Sequence, residues 1–229
     1  MKKILSAAAL VLTLATSSFA LTYEGSLSTA TNTLYATLPW STGSTFSWIV
    51  DYDSNSGLWT YDYTFSVPTK EISHVIVETS STFTEANIKS GTTTGWDLDS
   101  FDGSNDNPGL GSNSIYGLKW NTSNNPLVFN WTIVSDRKPM WGDFYAKDGV
   151  NNVQGSKNDV YAYNTGLGFN TLALVGDGNA FDAQTGYAWA LVPDTTGGTD
   201  EVPVPEPGTI ALLGLGLAGL GLYRRNRKQ

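Results

Sequence analysis

The sequence predicts an all-β protein whose main domain is a two-layer antiparallel β-sandwich of jelly-roll type. Between the two ends of the chain, Thr, Ser, Tyr, Trp, Val and Phe are abundant, and these residues favour strands. Clusters of Gly, Asn and Asp interrupt them about every ten residues, a spacing typical of short strands joined by turns. No part of this region has the pattern of a long helix, so the strands lack helical crossovers and are expected to pair antiparallel.

The clearest element is a hairpin made of two predicted strands, residues 44–53 and 58–67. Along the second strand, large apolar side chains alternate with Thr, Asp and Ser, which predicts one buried and one exposed face. The first strand repeats this alternation with Phe46, Trp48 and Val50. Residues 53–57 have turn composition, and Pro68 ends the second strand because proline has no N–H to donate.

Weaker strand signals cover most of the remaining domain. We expect further strands at residues 74–78, 115–120, 127–135, 141–147, 160–163, 172–175 and 187–192. Residues 84–89 are predicted to form one helical turn with Thr84 as its cap. Residues 21–193 therefore form one domain, and the Thr- and Gly-rich residues 194–203 form a flexible stalk.

The N-terminus predicts export across a membrane. Two lysines follow Met1, residues 4–15 are apolar, and residues 18–20 read small, any, small. This order is that of a secretory signal peptide spanning residues 1–20. Cleavage is expected between Ala20 and Leu21, so that Leu21 begins the mature chain.

The C-terminus predicts a single transmembrane helix. Residues 210–223 are apolar and uncharged, and four of the last six residues are basic. A helix over about residues 208–223, with a basic tail at 224–229, spans a bilayer only marginally. The tail should stay in the cytoplasm, which places the domain on the far side of the membrane. The alternatives for this run are an ordinary tail anchor or a buried core helix.

Three features follow one another at the C-terminus: Val204, Pro205, Glu206 and Pro207, then the apolar run, then a basic end that begins at Arg224 and Arg225. Together they resemble the PEP-CTERM sorting signal of Gram-negative bacteria. The resemblance covers residues 204–229 and implies that an exosortase-like membrane protease recognises these residues. It further implies an inner-membrane-anchored precursor with a periplasmic domain, then delivery to the cell surface, the extracellular matrix or extracellular polysaccharide. Residues 59–80 and 135–149 are similar to segments of uncharacterised ectodomains with the same signal, and imply no activity.

The charge of the domain excludes some partners. Six of the 13 Lys and Arg residues lie in the two terminal segments, whereas Glu206 is the one acid of 21 that does. Residues 21–203 therefore carry a net charge near −13, which repels phosphate backbones, so we expect no nucleic acid partner. The chain has no cysteine, so the core must hold the fold without disulfides.

The sequence lacks the common catalytic motifs, and we expect that the protein is not an enzyme. The single histidine, His74, lies inside a predicted strand and is expected to be structural. Catalysis of glycoside hydrolysis requires only two suitably spaced carboxylates, so a weak hydrolase stays open as an alternative. Asp62, Glu78 and Asp143, which lie in predicted strands, are the first candidates.

Calcium is the one cofactor that the sequence leaves open. Asp51, Asp53, Asn55 and Asp62 have the 1, 3, 5 and 12 spacing of a calcium loop. The glycine falls at the seventh position, however, and we favour a hairpin turn whose Asp and Asn side chains bond their own backbone. A second acidic loop is predicted at Asp97, Asp99, Asp102 and Asp106, with either no ligand or a weak site.

Two classes of function remain after these exclusions. We predict a structural or adhesive surface protein of biofilm or exopolysaccharide. The alternative is a carbohydrate-binding module, because the chain has 8 Trp and 11 Tyr residues and aromatic rings can stack on sugars. Trp96, Trp120 and Trp141, near turns, are the candidate sugar-binding rings, unless they belong to the core.

Overall fold

The computed structural model describes residues 21–103, 106–124, 126–153, 156–169, 181–182 and 185–194. Within these ranges the chain consists of β-strands and one short 3-10 helix, so the all-β class is confirmed. The strands are β1 (Leu21–Ser28), β2 (Leu34–Ala36), β3 (Thr45–Asp53), β4 (Leu58–Ser66), β5 (His74–Glu78), β6 (Trp96–Asp102), β7 (Ser114–Asn121), β8 (Val128–Ser135), β9 (Pro139–Gly142), β10 (Phe144–Val153), β11 (Ser156–Asn164), β12 (Phe181–Asp182), β13 (Tyr187–Ala188) and β14 (Ala190–Pro193). The 3-10 helix is Glu85–Asn87.

The strands form two large sheets and two small ones, all antiparallel. The four-stranded sheet has the order β1-β3-β4-β8, and the six-stranded sheet has the order β2-β11-β10-β5-β7-β6. The small sheets pair β12 with β13 and β14 with β9. Several neighbours are distant in sequence, since β2 pairs with β11 and β4 pairs with β8.

Both large sheets contribute to one apolar core. Phe46 of the four-stranded sheet stacks on Phe144 of the six-stranded sheet, with ring centroids 3.8 Å apart and planes 5° from parallel. The ring centroids of Trp131 in β8 and Trp120 in β7 lie 6.1 Å apart in the same cluster. All four side chains are buried, so their apolar area is removed from water between the sheets. The two-layer sandwich of jelly-roll type stays a prediction.

A second, smaller apolar cluster lies on the outer side of the six-stranded sheet. Ile76 of β5, Ile115 of β7 and Tyr145 of β10 meet Leu110 and Leu167 from two loops. The side chains of these strands alternate, so Val75, Val77, Phe144 and Ala146 belong to the main core instead. The loops thus cover part of a sheet face that would otherwise be exposed.

The predicted hairpin and the strand at residues 74–78 are confirmed. The predicted strand 141–147 is wrong in one respect: the structure splits it at Asp143 into the end of β9 and the start of β10. β1, β2, β6 and β12 were not predicted, and the predicted strand 187–192 is split at Trp189 into β13 and β14. The predicted strand 172–175 lies outside the described residues. The expected turn at 84–89 is the 3-10 helix, where Thr84 N–H donates to Asn87 Oδ1 at 2.8 Å.

The structure describes neither end of the chain. The predicted signal peptide, the stalk beyond Asp194 and the predicted transmembrane helix at 208–223 all lie outside the described residues. Among the residues that are described, no helix has the length and apolarity needed to cross a bilayer. Asp194, which the sequence assigns to the stalk, is 2% exposed and packs into the domain.

Candidate functional site

Three tyrosines lie side by side at one edge of the six-stranded sheet. Tyr35 of β2 stacks on Tyr163 of β11 with ring centroids 4.8 Å apart, because the two residues are cross-strand partners. Tyr161, two residues before Tyr163 on the same strand, points to the same side, with planes 10° from parallel and centroids 6.0 Å apart. Tyr35 is 44% exposed, and the other two rings are half-buried. We call these three residues the tyrosine edge.

An open groove lies beside the tyrosine edge. Its volume is about 560 Å³. The residues that line it are Tyr35, Ala36, Thr37, Leu38, Ser41, Asp159 and Tyr161. Leu38 is 70% exposed, so the groove combines apolar surface with hydroxyl and carboxylate groups. Thr37 fixes the groove floor, because its Oγ1 donates to Asp159 O at 2.9 Å and accepts from Tyr161 N at 3.1 Å.

The loop at residues 106–110 supports the tyrosine edge from behind. Gly109 has a φ of +91°, and a Cβ at this position would lie 2.2 Å from the Tyr161 ring. Tyr145, which is fully buried, donates its hydroxyl to Pro108 O at 2.8 Å and stacks 6.5 Å from Tyr161. The Tyr161 ring is therefore held against the backbone of Gly109.

The hydroxyls of Tyr161 and Tyr163 stay protonated over the ordinary pH range. Burial raises the pKa of Tyr163, and the neighbouring hydroxyls of Tyr35 and Tyr161 raise it further. Burial also raises the pKa of Tyr161, with added contributions from Tyr35 and Asp159. Tyr161 and Tyr163 therefore offer neutral hydroxyls that both donate and accept hydrogen bonds.

His74 is a structural residue of β5. It is 4% exposed, and its Nε2 lies 3.1 Å from Asn107 Oδ1. Asn107 Nδ2 already donates to Asp102 O, so the Asn107 oxygen must accept and His74 Nε2 must donate. Burial, followed by Lys119 and Lys147, lowers the pKa of His74 to about 3. The neutral ring thus ties the loop at 106–110 to the sheet.

Two of the three candidate carboxylates lie together, where β9 ends and β10 begins. The Asp143 N–H donates to Glu78 Oε2 at 2.7 Å. The Asp143 carboxylate accepts from Asn164 Nδ2 at 2.9 Å and from Gly168 N at 3.0 Å. Burial, with the Glu78 charge second, raises the pKa of Asp143 to about 7.

This carboxylate pair is built into the fold. Asn164 also donates to Ala188 O and accepts from the Phe144 N–H, so it joins β10, β11 and β13 around Asp143. Asp62 lies in the four-stranded sheet, where it pairs with Ile49 and Thr132, and does not join Glu78 and Asp143. A carboxyl that keeps its proton near neutral pH is capable of acid–base chemistry, but both Asp143 oxygens already hold hydrogen bonds.

The candidate calcium ligands lie on the hairpin of β3 and β4. Asp53 Oδ1 accepts from Asn55 N at 2.9 Å, and Asp53 Oδ2 accepts from Ser56 Oγ at 2.7 Å. The Ser56 hydroxyl, followed by the Asn55 backbone, lowers the pKa of Asp53. Asp51 accepts from Thr22, and Asp62 accepts from Thr132 Oγ1 at 2.5 Å. Within the described part of the chain, no three acidic or histidine side chains group as metal ligands.

The outer face of the four-stranded sheet is polar. Short hydroxyl, amide and acidic side chains face solvent across its four strands, and Thr64 Oγ1 donates to Asn130 Oδ1 at 2.7 Å between β4 and β8. Ile49 and Val128 are the large apolar side chains exposed there, at 46% and 49%. This face carries no row of aromatic rings among the described strands.

The three tryptophans predicted to bind sugar do not form a site. Trp120 and Trp141 are 1% and 3% exposed, and both belong to the main core. Trp120 Nε1 donates to Thr93 O at 3.0 Å, which satisfies its polar atom inside the protein. Trp96 is half-buried against the same core. We therefore correct the expectation: turns flank these residues, yet their strands direct the rings inward.

The second acidic group is also placed differently from the prediction. Asp97, Asp99 and Asp102 belong to β6, an edge strand, and not to a loop. Trp96 and Leu98 pack on the core, so Asp97 and Asp99, which alternate with them, occupy the opposite face of the strand, and Asp102 is exposed at its end. Such charges protect a sheet edge from pairing with another chain.

The tyrosine edge was not found from the sequence, although a signal was present. Tyr161 and Tyr163 flank Ala162, and in a strand this spacing directs both rings to one side. Ala162 is buried in the main core, as this pattern requires. The pairing of β2 with β11, which adds Tyr35, joins residues too distant in sequence for any local pattern to show.

Of the residues predicted to direct sorting and cleavage, the structure describes only Leu21, which begins β1. The others lie outside the described residues: Ala20, residues 204–207, Arg224 and Arg225. Comparison with known families provides independent information on the C-terminus. Residues 203–228 match the family model of the PEP-CTERM protein-sorting motif. No curated protein and no solved structure matches the chain.

Proposed function

We propose that this chain, which carries a PEP-CTERM sorting motif at its C-terminus, is a structural or adhesive protein of the cell surface or extracellular matrix. The observation that carries the proposal is the motif match at residues 203–228, which implies processing by an exosortase-like membrane protease. The precursor is held in the inner membrane with its domain in the periplasm until that protease releases it.

The described domain supports a structural role outside the cell. A net charge near −13 over residues 21–203 keeps the surface hydrated and disfavours binding to nucleic acid. The outer face of the four-stranded sheet is polar and carries no row of aromatic rings among the described strands, as expected of a protein that packs into a hydrated matrix. The architecture proposed for this role is a two-layer sandwich, with the two large sheets on either side of the Phe46 and Phe144 rings.

A localisation experiment tests the sorting route. We expect the intact chain to appear first in the inner membrane and later outside the cell without its basic tail. A strain that lacks the protease should accumulate the tail-bearing precursor, and deletion of residues 204–229 should prevent delivery to the surface. Arg224→Lys with Arg225→Lys keeps the positive charge, so normal delivery of this variant would show that charge suffices and failed delivery would show that the arginines themselves are recognised. A product of equal mass outside protease-deficient cells, or a cytosolic pool of the mature chain, contradicts the proposal.

A carbohydrate-binding module is the second candidate function. The observation that favours it is an exposed aromatic side chain beside hydroxyl and carboxylate groups in one groove. A weak glycoside hydrolase stays a minor alternative, and failure of the parent protein to release reducing sugar would dismiss it. If sugar is released, an unchanged rate in Glu78→Gln would show that Glu78 is not one of the two carboxylates.

A further inference from the structure

The tyrosine edge has the composition of a recognition surface rather than of a core. Tyr35 is the outermost ring, since β2 is the edge strand of the six-stranded sheet. One side of this ring stacks on Tyr163, and the ring also lines the groove with Leu38 and Ser41. An exposed aromatic ring that is already fixed by a neighbour loses little conformational entropy when a ligand stacks on it.

Contacts within the protein hold the tyrosine edge in place without a ligand. Tyr161 contacts the backbone of Gly109, and Thr37 bonds to the backbone of β11 on both sides of Val160. The tyrosines therefore rest on rigid strands and on a loop that His74 and Tyr145 tie to the sheet. A binding site built in this way is organised before its ligand arrives.

The chemistry of the groove identifies the class of ligand. A pyranose ring presents a face of C–H groups, which stacks on an aromatic ring, and a rim of hydroxyls, which bond to other hydroxyls and to carboxylates. Tyr35 and Leu38 provide the apolar surface, and Thr37, Ser41 and Asp159 provide polar partners at the rim.

Charge narrows the choice to a neutral sugar. Asp159 is exposed in the groove, and the domain around it carries a large negative charge. A uronic acid or sulfated sugar would place a second negative charge near this carboxylate at a cost in free energy.

We propose that the groove beside Tyr35 binds neutral pyranose units of a polysaccharide, with Tyr35 as the stacking ring and Asp159 as a hydroxyl acceptor. This inference deepens the proposed extracellular role and rests on it for the presence of polysaccharide around the protein. It assigns the adhesive contact to one edge of one sheet.

The test measures binding of the full-length chain in detergent to cellohexaose, chitohexaose and oligoguluronate by calorimetry. We expect the neutral oligosaccharides to bind and the anionic one not to bind. Tyr35→Ala should weaken binding by about three- to tenfold, because one ring contact is lost. Tyr35→Phe keeps the ring and should retain most of the affinity.

Phe169→Ala is the matched control. Phe169 is 53% exposed and lies outside the groove, so this variant also loses one exposed ring but should bind as the parent does. Melting curves of all variants show whether each is folded, which matters because Tyr35 belongs to a strand of three residues. A folded Tyr35→Ala protein with unchanged affinity overturns the proposal, as does equal weakening by Phe169→Ala.

Failure of this site and failure of the proposed function give different results. Flat traces with both neutral oligosaccharides up to about 10 mM, or binding of the anionic one alone, reject the site. They leave sorting to the cell surface intact, since the localisation experiment does not involve Tyr35. Mislocalisation with normal sugar binding would reject the extracellular role and keep the site.

Discussion

Arg137 Nη1 lies 3.2 Å from Asp194 Oδ2, so an ion pair holds the last described residue of the domain. Asp194 is 2% exposed, and Arg137 Nη2 also donates to Thr82 O at 2.7 Å. The Tyr61 hydroxyl donates to Arg137 O at 2.6 Å, which joins this end of the domain to β4. The chain therefore leaves the domain from a fixed point.

Removal of this pair should be costly. Asp194→Ala leaves the Arg137 guanidinium without its carboxylate partner, so we expect a loss of about 1.5–3 kcal/mol in the free energy of unfolding. Lys89→Met is the control, because it removes the 2.7 Å pair with Asp136 at a much more exposed position. That variant should lose less than about 1 kcal/mol. Equal losses in urea titrations of the two variants would contradict this interpretation.

The Glu78 and Asp143 pair should make stability fall as pH rises. The folded state keeps the Asp143 proton up to a pKa of about 7, whereas the unfolded chain loses it near the ordinary value of 3.8. Between these values the folded state binds more protons, so the free energy of unfolding decreases by about 1.4 kcal/mol per pH unit from this group.

Glu78→Gln tests this linkage. The variant keeps an oxygen acceptor for the Asp143 N–H but removes the neighbouring charge, which should lower the pKa of Asp143. Relative to the parent, it should gain stability between pH 4.5 and pH 8, measured by urea unfolding at both values. Glu71→Gln removes an exposed carboxylate and should leave the difference unchanged. If the free energies of unfolding of both variants change with pH by the same amount, the Glu78 and Asp143 pair is not the cause of the pH dependence.

His74 should have the opposite effect. Its pKa falls from 6.5 to about 3 on folding, so the unfolded chain binds the extra proton between these values. Stability from this group is complete above about pH 6.5 and decreases on acidification by about 1.4 kcal/mol per unit. His74→Gln keeps a donor for Asn107 and removes the titration. Compared with the parent, the variant should gain stability from pH 6 to pH 4, and melting curves that stay parallel would contradict this.

The contact between Phe46 and Phe144 should be a major link between the two large sheets. Each ring is fully buried, so either change to Ala should cost about 3–5 kcal/mol. A double-mutant cycle should show a coupling of about 0.5–1.5 kcal/mol, because the rings stack directly. Additive losses within error would mean that the two sheets do not depend on this contact.

The hairpin at β3 and β4 allows a direct test of calcium. If the Asp53 carboxylate serves the turn, as its bonds to Asn55 and Ser56 indicate, millimolar calcium should leave the melting temperature unchanged. Asp53→Ala should then lower the melting temperature equally with and without calcium. A rise with calcium that disappears in a variant with Asp51→Ala and Asp53→Ala would instead show a metal site.

Local patterns predicted the central strands because their alternation is strong. β4 alternates rings with small polar residues over its whole length, and the buried residues Trp59, Tyr61, Tyr63 and Phe65 are the predicted ones. β1 was missed because Gly25 interrupts its alternation of apolar and polar residues, although Gly25 pairs with Trp48 in β3. β6 alternates clearly, but its aspartates favoured the interpretation of a loop.

The site depended on information that no local pattern contains. The break at Asp143 follows from a carboxylate held by Asn164 and Gly168, which are more than twenty residues away in sequence. The number of aromatic residues led to the prediction of sugar-binding rings near turns, but two of those rings, Trp120 and Trp141, are core residues. Strand pairing across the sheet, which sequence spacing does not give, places Tyr35 beside Tyr163.

The pairing of Tyr35 with Tyr163 also determines when the domain can fold. A polypeptide delivered across a membrane from its N-terminus emerges with β2 long before β11, and the six-stranded sheet cannot be completed until β11 has followed. High contact order of this kind slows folding. The same topology that creates the groove thus postpones completion of the six-stranded sheet until β11 has crossed.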